Sequence, residues 1–530
     1  MIERLEQLID IGIALSAETD PVRLQERILD SARALTHADG GTLYSVSRDA
    51  VSIVILRNAS LNMSMGGSGA PPCTLPPIPL YKEDGSPNLN NVVTCAVHTN
   101  ATVNIADSYD TESFDFSGTR RFDTQTGYRS TSFLTVPLRN HENEIIGVLQ
   151  LINATPPDTG VVAPFDSYTQ RLVEALASQA AVALTKEQLI GEMKQLFEAL
   201  IHLVADAIDR KSPYTGGHCR RVPAITMALA EAAHSESDGP LKDFHLDDQD
   251  RYELEIAGWL HDCGKITTPE YVVDKATKLE TICDRIHLVD SRFEILMRDK
   301  EIECLKRQLE QLGVKELSPE LQQELQASHA ELNEQRQFLR RSNTGSEFMN
   351  EQDQERVRII GQQTWLCDGQ TAPLLSENEI HNLTISRGTL TPEERKIIND
   401  HIRATIDMLN NLPFPKHLRR VPEYAAGHHE RMDGKGYPNG LTREEMSVQA
   451  RILGIADIFE ALTACDRPYK SAKKLSEALK IMAFMKKEGH IDPDLFEVFL
   501  RRKVYLQYAE QYLSAEQIDE VNVEQLLLIS

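Results

Sequence analysis

Two short runs, HDCGK at residues 261–265 and HHERMDGKGYP at 428–438, constrain this chain more than any other feature. They gather three histidines, two aspartates and two lysines around glycine and proline, a mixture that makes little sense as a hydrophobic core. The runs lie far apart in the sequence. A fold that brings them together does so around something polar, and the chemistry of the side chains points to a metal site.

Further candidates sit in equally distinctive settings. They are His218 in YTGGH (214–218), His401, the adjacent pair His428 and His429, and Asp457 in RILGIADIFEAL (451–462). His401 follows Thr391-Pro392-Glu393-Glu394, a start signal in which Thr caps, Pro suits the first turn and Glu completes a capping box. The helix so opened places Ile397, His401, Thr405 and Met408 on one side. His261 and Lys265, four apart, are expected to share a helix face, with Asp262 projecting about 100° away. Adjacent histidines at a helix end can point at two ions held side by side, which implies a dinuclear centre with Asp262 as the bridging carboxylate. Two cations ~3.5–4 Å apart can hold both the attacking oxygen and the non-bridging oxygens of a phosphodiester. Asp457 lies among Ile455, Ala456, Ile458 and Phe459, where an unpaired charge is costly and coordination would compensate. Taken singly, each histidine is more simply a satisfied core or surface residue; seven such residues in these motifs are not.

At 530 residues the chain exceeds one core and is expected to form several units. A formal net charge of -24 argues against a general binder of DNA, RNA or anionic membrane. There is no uncharged apolar run of ~18 residues, and MIERLEQLIDIG mixes acids with its leucines, so a cytoplasmic protein is expected. Eight cysteines without a CxxC pair fit reduced thiols, and Cys219 and Cys263, beside candidate ligands, read as packing residues.

Residues 5–185 read as mixed α and β, with TSFLTVPLR (131–139) and IIGVLQLIN (145–153) flanking the polar turn HENE as an antiparallel hairpin. With THADGGTLY (36–44), FDTQTGYRSTSFLTVPLRN (122–140) and SQAAVAL (178–184), this region resembles a GAF sensor domain. The resemblance implies a small-molecule ligand in a cup over the sheet. Some such domains bind cyclic nucleotides through an Asn-Lys…Phe…Asp-Glu signature; here Asn153 and Phe165 match, while Ala154, Thr169 and Gln170 stand at the other places. The identity of the ligand is left open. From Leu172 onward Leu176, Ala183, Ile190, Met193, Phe197, Leu200 and Val204 recur at spacings of three and four, interrupted by Gln179 and Lys186. This reads as a signalling helix that pairs with a second copy, giving a homodimer. Between Lys278 and about Ile385, two long helices break at Gly313 and restart at Ser318-Pro319-Glu320. Leu305, Leu309 and Leu312 are expected to meet Leu321, Leu325 and Leu332 in a hairpin, with SNTGSE (342–347) as a loop.

The runs SPYTGGHCRRV (212–222), WLHDCGK (259–265), HHERMDGKGYPNGL (428–441) and ADIFEALTACDRPYK (456–470) give residues 195–505 a resemblance to the HD-GYP subgroup of HD metal-dependent phosphohydrolases. The resemblance implies metal ligation by His218, His261, Asp262, His401, His428, His429 and Asp457. Where some members carry a glutamate for a third metal, Tyr214 stands here, so two divalent ions, iron or manganese, are expected. Asp262 and Lys265 are the expected catalytic pair, with Lys265, Tyr437, Arg467 and Lys470 contacting substrate. The implied activity is hydrolysis of cyclic di-GMP to pGpG and onward to GMP; the alternatives are preference for 3′,3′-cyclic GMP-AMP and a non-catalytic, nucleotide-responsive scaffold. The expected architecture is an α+β GAF-like sensor domain at 1–185, an antiparallel sheet flanked by helices, joined by a signalling helix at 186–205 to an all-α HD-type domain. That domain spans 206–505, carries a helical-hairpin insertion at 279–385, and is followed by a helical tail at 506–530.

Overall fold

The computed structural model describes residues 2–211, 217–313, 318–345, 348–367, 370–464 and 472–529. The chain forms two compact units, one running through Phe197 and the other starting at Glu198.

The first unit is built on an antiparallel sheet. Its strands are β1 (Ala38–Val46), β2 (Ala50–Asn58), β3 (Met63–Met65), β4 (Ile78–Pro79), β5 (Val103–Ile105), β6 (Phe133–Arg139) and β7 (Ile145–Ala154), in the order β3-β2-β1-β7-β6-β5 with β4 beside β2. The expected hairpin is β6–β7, in register Phe133 with Ile152 and Leu134 with Leu151. Its turn is held by Asn140, whose side chain accepts the Glu142 and Glu144 amides, and Asn143 supplies the left-handed residue at φ 63°. Alternation in β6 sends Leu134, Val136 and Leu138 to one face, where they meet Leu24, Ile28 and Leu29 of α2 (Pro21–Thr36). Leu8 and Leu15 of α1 (Ile2–Ala17) join that core. The opposite face carries Tyr44, Val51, Val148 and Val93, the last on α3 (Val92–Thr99). A short α4 (Ser117–Thr126) follows, anchored by buried Asp123, which accepts the Tyr109 and Ser130 hydroxyls.

The two residues matching the cyclic-nucleotide signature do structural work here. Asn153 accepts the Thr131 amide at 2.7 Å and donates to the Arg129 carbonyl at 2.7 Å, while Phe165 belongs to the core.

One 45-residue helix, α5 (Ser167–Lys211), crosses the division between the units. Of the apolar series read from the sequence, Leu172, Leu176 and Ala183 are buried in the first unit's core. The exposed members are Ile190, Met193, Leu200 and Val204, joined by Val182, Leu189, Leu196 and Leu203. Val182, Leu189, Met193, Leu196, Leu200 and Leu203 fall at heptad-like spacings of three, four and seven, a seam displaced from the one read in the sequence.

Among its described residues the second unit is helical apart from one small hairpin. It opens with α6 (His218–His234) and α7 (Asp248–Leu260), the latter started by an Asp247–Asp250 capping box. The helices Ile286–Leu312 and Pro319–Asn343 form the expected hairpin, ended by Gly313 at φ 59° and restarted by Ser318 as N-cap. Of the leucines expected to meet along it, Leu305 and Leu309 are exposed and Leu332 is buried. The insertion instead has its own core of Phe293, Leu296, Leu332, Phe338, Leu339, Val357 and Leu374. It also contains a helix at Glu351–Gly361 and a β-hairpin, Thr364–Cys367 with Gln370–Pro373, neither read from the sequence. After the insertion come helices Pro392–Asn399, His401–Asn410, Val421–Gly427, Val448–Thr463, Leu475–Lys487 and Pro493–Arg501, and the tail closes back through Gln517, which donates to the Thr463 carbonyl. Among the described residues no helix is long and apolar enough to cross a membrane.

Candidate metal centre

Six of the seven ligand candidates sit at the edge of a helix, where side chains can point past the helix end, and the seventh, Asp457, projects from the middle of one. His218 is the first residue of α6, after Gly217 at φ 89°. His261 caps the end of α7, and Asp262 precedes a 3₁₀ turn at Cys263–Thr267. His401 opens its own helix, because the segment started by the Thr391–Glu394 capping box breaks at Asp400. His428 and His429 follow the end of Val421–Gly427, and Asp457 lies within Val448–Thr463.

Two glycines let these segments touch. A Cβ on Gly264 would stand 2.0 Å from the His401 carbonyl oxygen, and the Gly264 amide donates to Thr405 Oγ1 at 2.9 Å. A Cβ on Gly454 would lie 3.0 Å from the His428 carbonyl oxygen. Backbone contact at these points joins the HD turn to the His401 helix and the His428 segment to the Asp457 helix.

All seven candidates converge. His218, His261, Asp262 and Asp457 form one group, and Asp262, His401, His428 and His429 another, with the ligand atoms of each group within 4.8 Å of one another. Asp262 belongs to both. Its Oδ2 lies 3.1 Å from His218 Nε2 and 3.2 Å from His261 Nε2, and its Oδ1 lies 3.2 Å from His401 Nε2.

The hydrogen bonds settle which nitrogens face inward as bases. His261 Nδ1 meets the Gly258 carbonyl at 2.7 Å, His428 Nδ1 the Ala425 carbonyl at 2.6 Å, and His401 Nδ1 the Ile398 carbonyl. A carbonyl only accepts, so in each ring Nδ1 carries the proton and Nε2 presents a lone pair to the interior. Lone pairs therefore face the Asp262 oxygens with no proton between them. His261 Nε2, His428 Nε2 and Asp262 Oδ1 are buried without a hydrogen-bond partner. Converging buried acceptors of this kind repel unless a cation lies among them, so the residues fit a metal centre.

Electrostatics agree. Burial pushes His428 down to about 4 and holds His429 well below its ordinary value. Both rings are neutral ligands at neutral pH. Burial alone would raise Asp262, but the Lys265 ammonium beside it outweighs this and keeps the carboxyl well below the usual range. His218 differs: burial lowers it, yet Glu460 overrides that and lifts it to about 10. Its Nδ1 lies 2.5 Å from Glu460 Oε2, and Arg221 holds the other Glu460 oxygen at 2.7 Å. A divalent cation at His218 Nε2 would compete with a proton there.

Glu460 and Arg221 were not singled out in the sequence. Each lies one helical turn beyond a ligand, Asp457 or His218, and that spacing was the available signal. Glu430 was also missed. It is buried and accepts the Asn439 amide at 2.7 Å and the Leu441 amide at 3.0 Å, strapping the GYP loop to the histidine pair. Gly436 allows this fold-back, since a Cβ there would lie 2.4 Å from the Arg431 nitrogen.

Lys265 departs from expectation. Because α7 stops at Leu260, it shares no helical face with His261; its ammonium sits 2.5 Å from Asp262 Oδ2. Tyr437 stacks on His429 with ring centroids 4.8 Å apart, so one face of its ring is already covered. Cys219 and Cys263 are buried thiols raised by burial, as packing residues would be. Arg467, Lys470 and Tyr214 lie outside the described residues.

Comparison with known proteins places both units. A GAF domain model matches residues 20–184 and an HD domain model residues 319–495. The chain thus pairs a GAF domain with an HD domain. The HD match contains His401, His428, His429 and Asp457; His218, His261 and Asp262 lie before it and join them in space. Over 81 residues the chain is 43% identical to a 3′3′-cGAMP-specific phosphodiesterase of Vibrio cholerae, covering 15% of this chain and 19% of that protein. Over 114 residues it is 37% identical to a cyclic di-GMP phosphodiesterase of Pseudomonas aeruginosa, covering 22% and 26%. These matches span well under half the length of either relative. A solved GAF domain/HD domain protein from Geobacter sulfurreducens is similar at 17% identity and TM-score 0.24, covering 33% of this chain and 98% of that one.

Proposed function

We propose that this GAF–HD chain is a metal-dependent phosphodiesterase that hydrolyses a cyclic dinucleotide, cyclic di-GMP first, to linear pGpG and then GMP. The observation that carries the reading is the pair of ligand groups sharing Asp262, with inward lone pairs fixed by backbone carbonyls. Held by these residues, two divalent cations, iron or manganese, would supply Lewis-acid polarisation of a phosphodiester and lower the pKa of a water. The chain's own groups do the rest. Asp262 holds both halves of the centre together, and Lys265, fixed on Asp262, places a positive charge where negative charge grows as phosphorus becomes five-coordinate. Tyr437 forms a wall beside His429 against which a base can rest, and Arg467 and Lys470 are assigned to the phosphates.

The relatives' names support two substrates, since one is specific for 3′3′-cGAMP and the other acts on cyclic di-GMP. The two share a diester backbone and differ in one base. The GAF unit is assigned a small-molecule ligand that regulates turnover, the exposed seam of α5 a second copy of the chain, and the protein a cytoplasmic location. The test is an anaerobic preparation with metal quantification, assayed on both dinucleotides beside His261→Ala and Asp262→Ala variants. Product release by wild type and loss in both variants is expected; equal release by all three rejects the enzymatic reading in favour of a scaffold.

A further inference from the structure

The last turns of α5 grip the segments that supply the first ligand group. Asp209 Oδ2 accepts the Gly217 amide at 3.0 Å and its Oδ1 the Cys219 amide at 3.3 Å. This carboxylate therefore caps the start of α6, whose first residue is His218. Two residues on, Lys211 Nζ donates to the carbonyls of Lys265 at 3.3 Å, of Ile266, and of Thr268 at 2.6 Å. These carbonyls belong to the 3₁₀ turn that follows Asp262 and to its cap. One turn earlier, Asp206 pairs with Arg220 of α6 at 2.7 Å, and His202 lies against Trp259 of α7 with centroids 4.4 Å apart.

None of these α5 residues is a ligand, yet they touch all three elements that deliver His218, His261 and Asp262. A 3₁₀ turn has poor hydrogen-bond geometry and leaves carbonyls to be satisfied elsewhere. An ammonium that gathers three of them fixes the turn, and with it the carboxylate at its head. We propose that Asp209 and Lys211 are positioning residues for the metal centre, the end of α5 holding the His218 and Asp262 segments in mutual register. The proposal rests on the metal-centre reading above. Both groups sit two residues apart on one helix end, so a shift of that end moves both ligand segments together.

The test uses the full chain. Mn²⁺ is titrated by calorimetry into wild type, Lys211→Met, Lys211→Arg and Asp209→Asn, with melting temperatures recorded alongside. Lys211→Met is expected to weaken Mn²⁺ binding by about tenfold or more, the range for partners that orient ligands from outside the coordination sphere. Lys211→Arg, which keeps several N–H donors, recovers most of that loss, and Asp209→Asn weakens binding severalfold. A merely structural role would lower the melting temperature and leave the Kd alone. The proposal is overturned if Lys211→Met and Asp209→Asn bind Mn²⁺ as wild type does, or if Lys211→Arg binds no more tightly than Lys211→Met. Should Lys211→Met not fold, Asp209→Asn decides: an unchanged Kd overturns the proposal. A wild type that takes up no Mn²⁺ overturns this inference and the metal-centre reading together, whereas normal uptake by wild type and variants overturns the inference alone.

Discussion

Gly264→Ala adds one methyl group where two ligand-bearing segments meet. Its Cβ would stand 2.0 Å from the His401 carbonyl oxygen, 2.5 Å from the Thr405 nitrogen and 2.6 Å from Thr405 Oγ1, against a floor of 3.0 Å for real Cβ contacts. The HD turn and the His401 helix must therefore part by about 1 Å, and both partners at the contact are backbone, which cannot rotate away. Overpacking of this kind costs roughly 1–3 kcal/mol. Parting also stretches the buried Gly264–Thr405 hydrogen bond, now 2.9 Å, which adds about 1 kcal/mol. The same opening separates His401 Nε2 from Asp262 Oδ1, now 3.2 Å apart, so the second ligand group spreads. A misplacement of ~1 Å is enough to lower turnover by about 10². Urea denaturation gives the stability change, and Mn²⁺ calorimetry with turnover of cyclic di-GMP gives the functional one. Thr405→Val is the control: it removes the hydrogen bond without adding bulk, and turnover should stay within about tenfold. Gly264→Ala with wild-type turnover and two Mn²⁺ bound would refute the claim that close backbone contact sets the centre.

Other outcomes follow from particular side chains. Lys278 is buried against the Met349 sulfur and the Leu383 and Ile385 carbonyls, and burial lowers it from 10.5 to about 8. Below pH 8 both folded and unfolded chains hold the proton and the folded state bears the full cost of the buried charge. As pH rises towards 10.5 the folded chain releases that proton first, so stability relative to Lys278→Met should rise by up to roughly 3 kcal/mol; a flat difference across pH 8–10.5 would contradict this. Glu430→Gln replaces one acceptor of the two GYP-loop amides with an NH₂ group facing an N–H. KM for the dinucleotide should rise severalfold while bound metal stays at the wild-type level, and an unchanged KM would show that the strap does not position substrate. Leu196→Glu places a charge in the exposed seam of α5 and should convert a dimer to monomers in light scattering; a wild type already monomeric removes the seam's assigned role.

The seven converging residues were legible because histidine pairs, glycine and proline occur together in short runs that no core explains. Lys265 was misplaced for a local reason: α7 ends one residue before His261, and four-residue spacing has meaning only within a continuous helix. Glu460, Arg221 and Glu430 escaped notice because they act on ligands or loops without being ligands, although Glu460 and Arg221 sit one turn beyond Asp457 and His218. In α5 the buried stripe of the first unit and the exposed seam both repeat at three and four residues, and only burial separates Leu172 and Leu176 from Leu189 and Leu196. The hairpin at Thr364–Cys367 was missed because a four-residue strand amid Glu- and Gln-rich helices has too few alternations to register.

The central claim is that Asp262 bridges two cations held by its two ligand groups. Anomalous diffraction at the manganese edge from Mn²⁺-soaked crystals tests it directly. Two peaks are expected, one on each side of the Asp262 carboxylate, with His218, His261 and Asp457 around the first and His401, His428 and His429 around the second. A single peak, or none within reach of those imidazoles, would contradict the account.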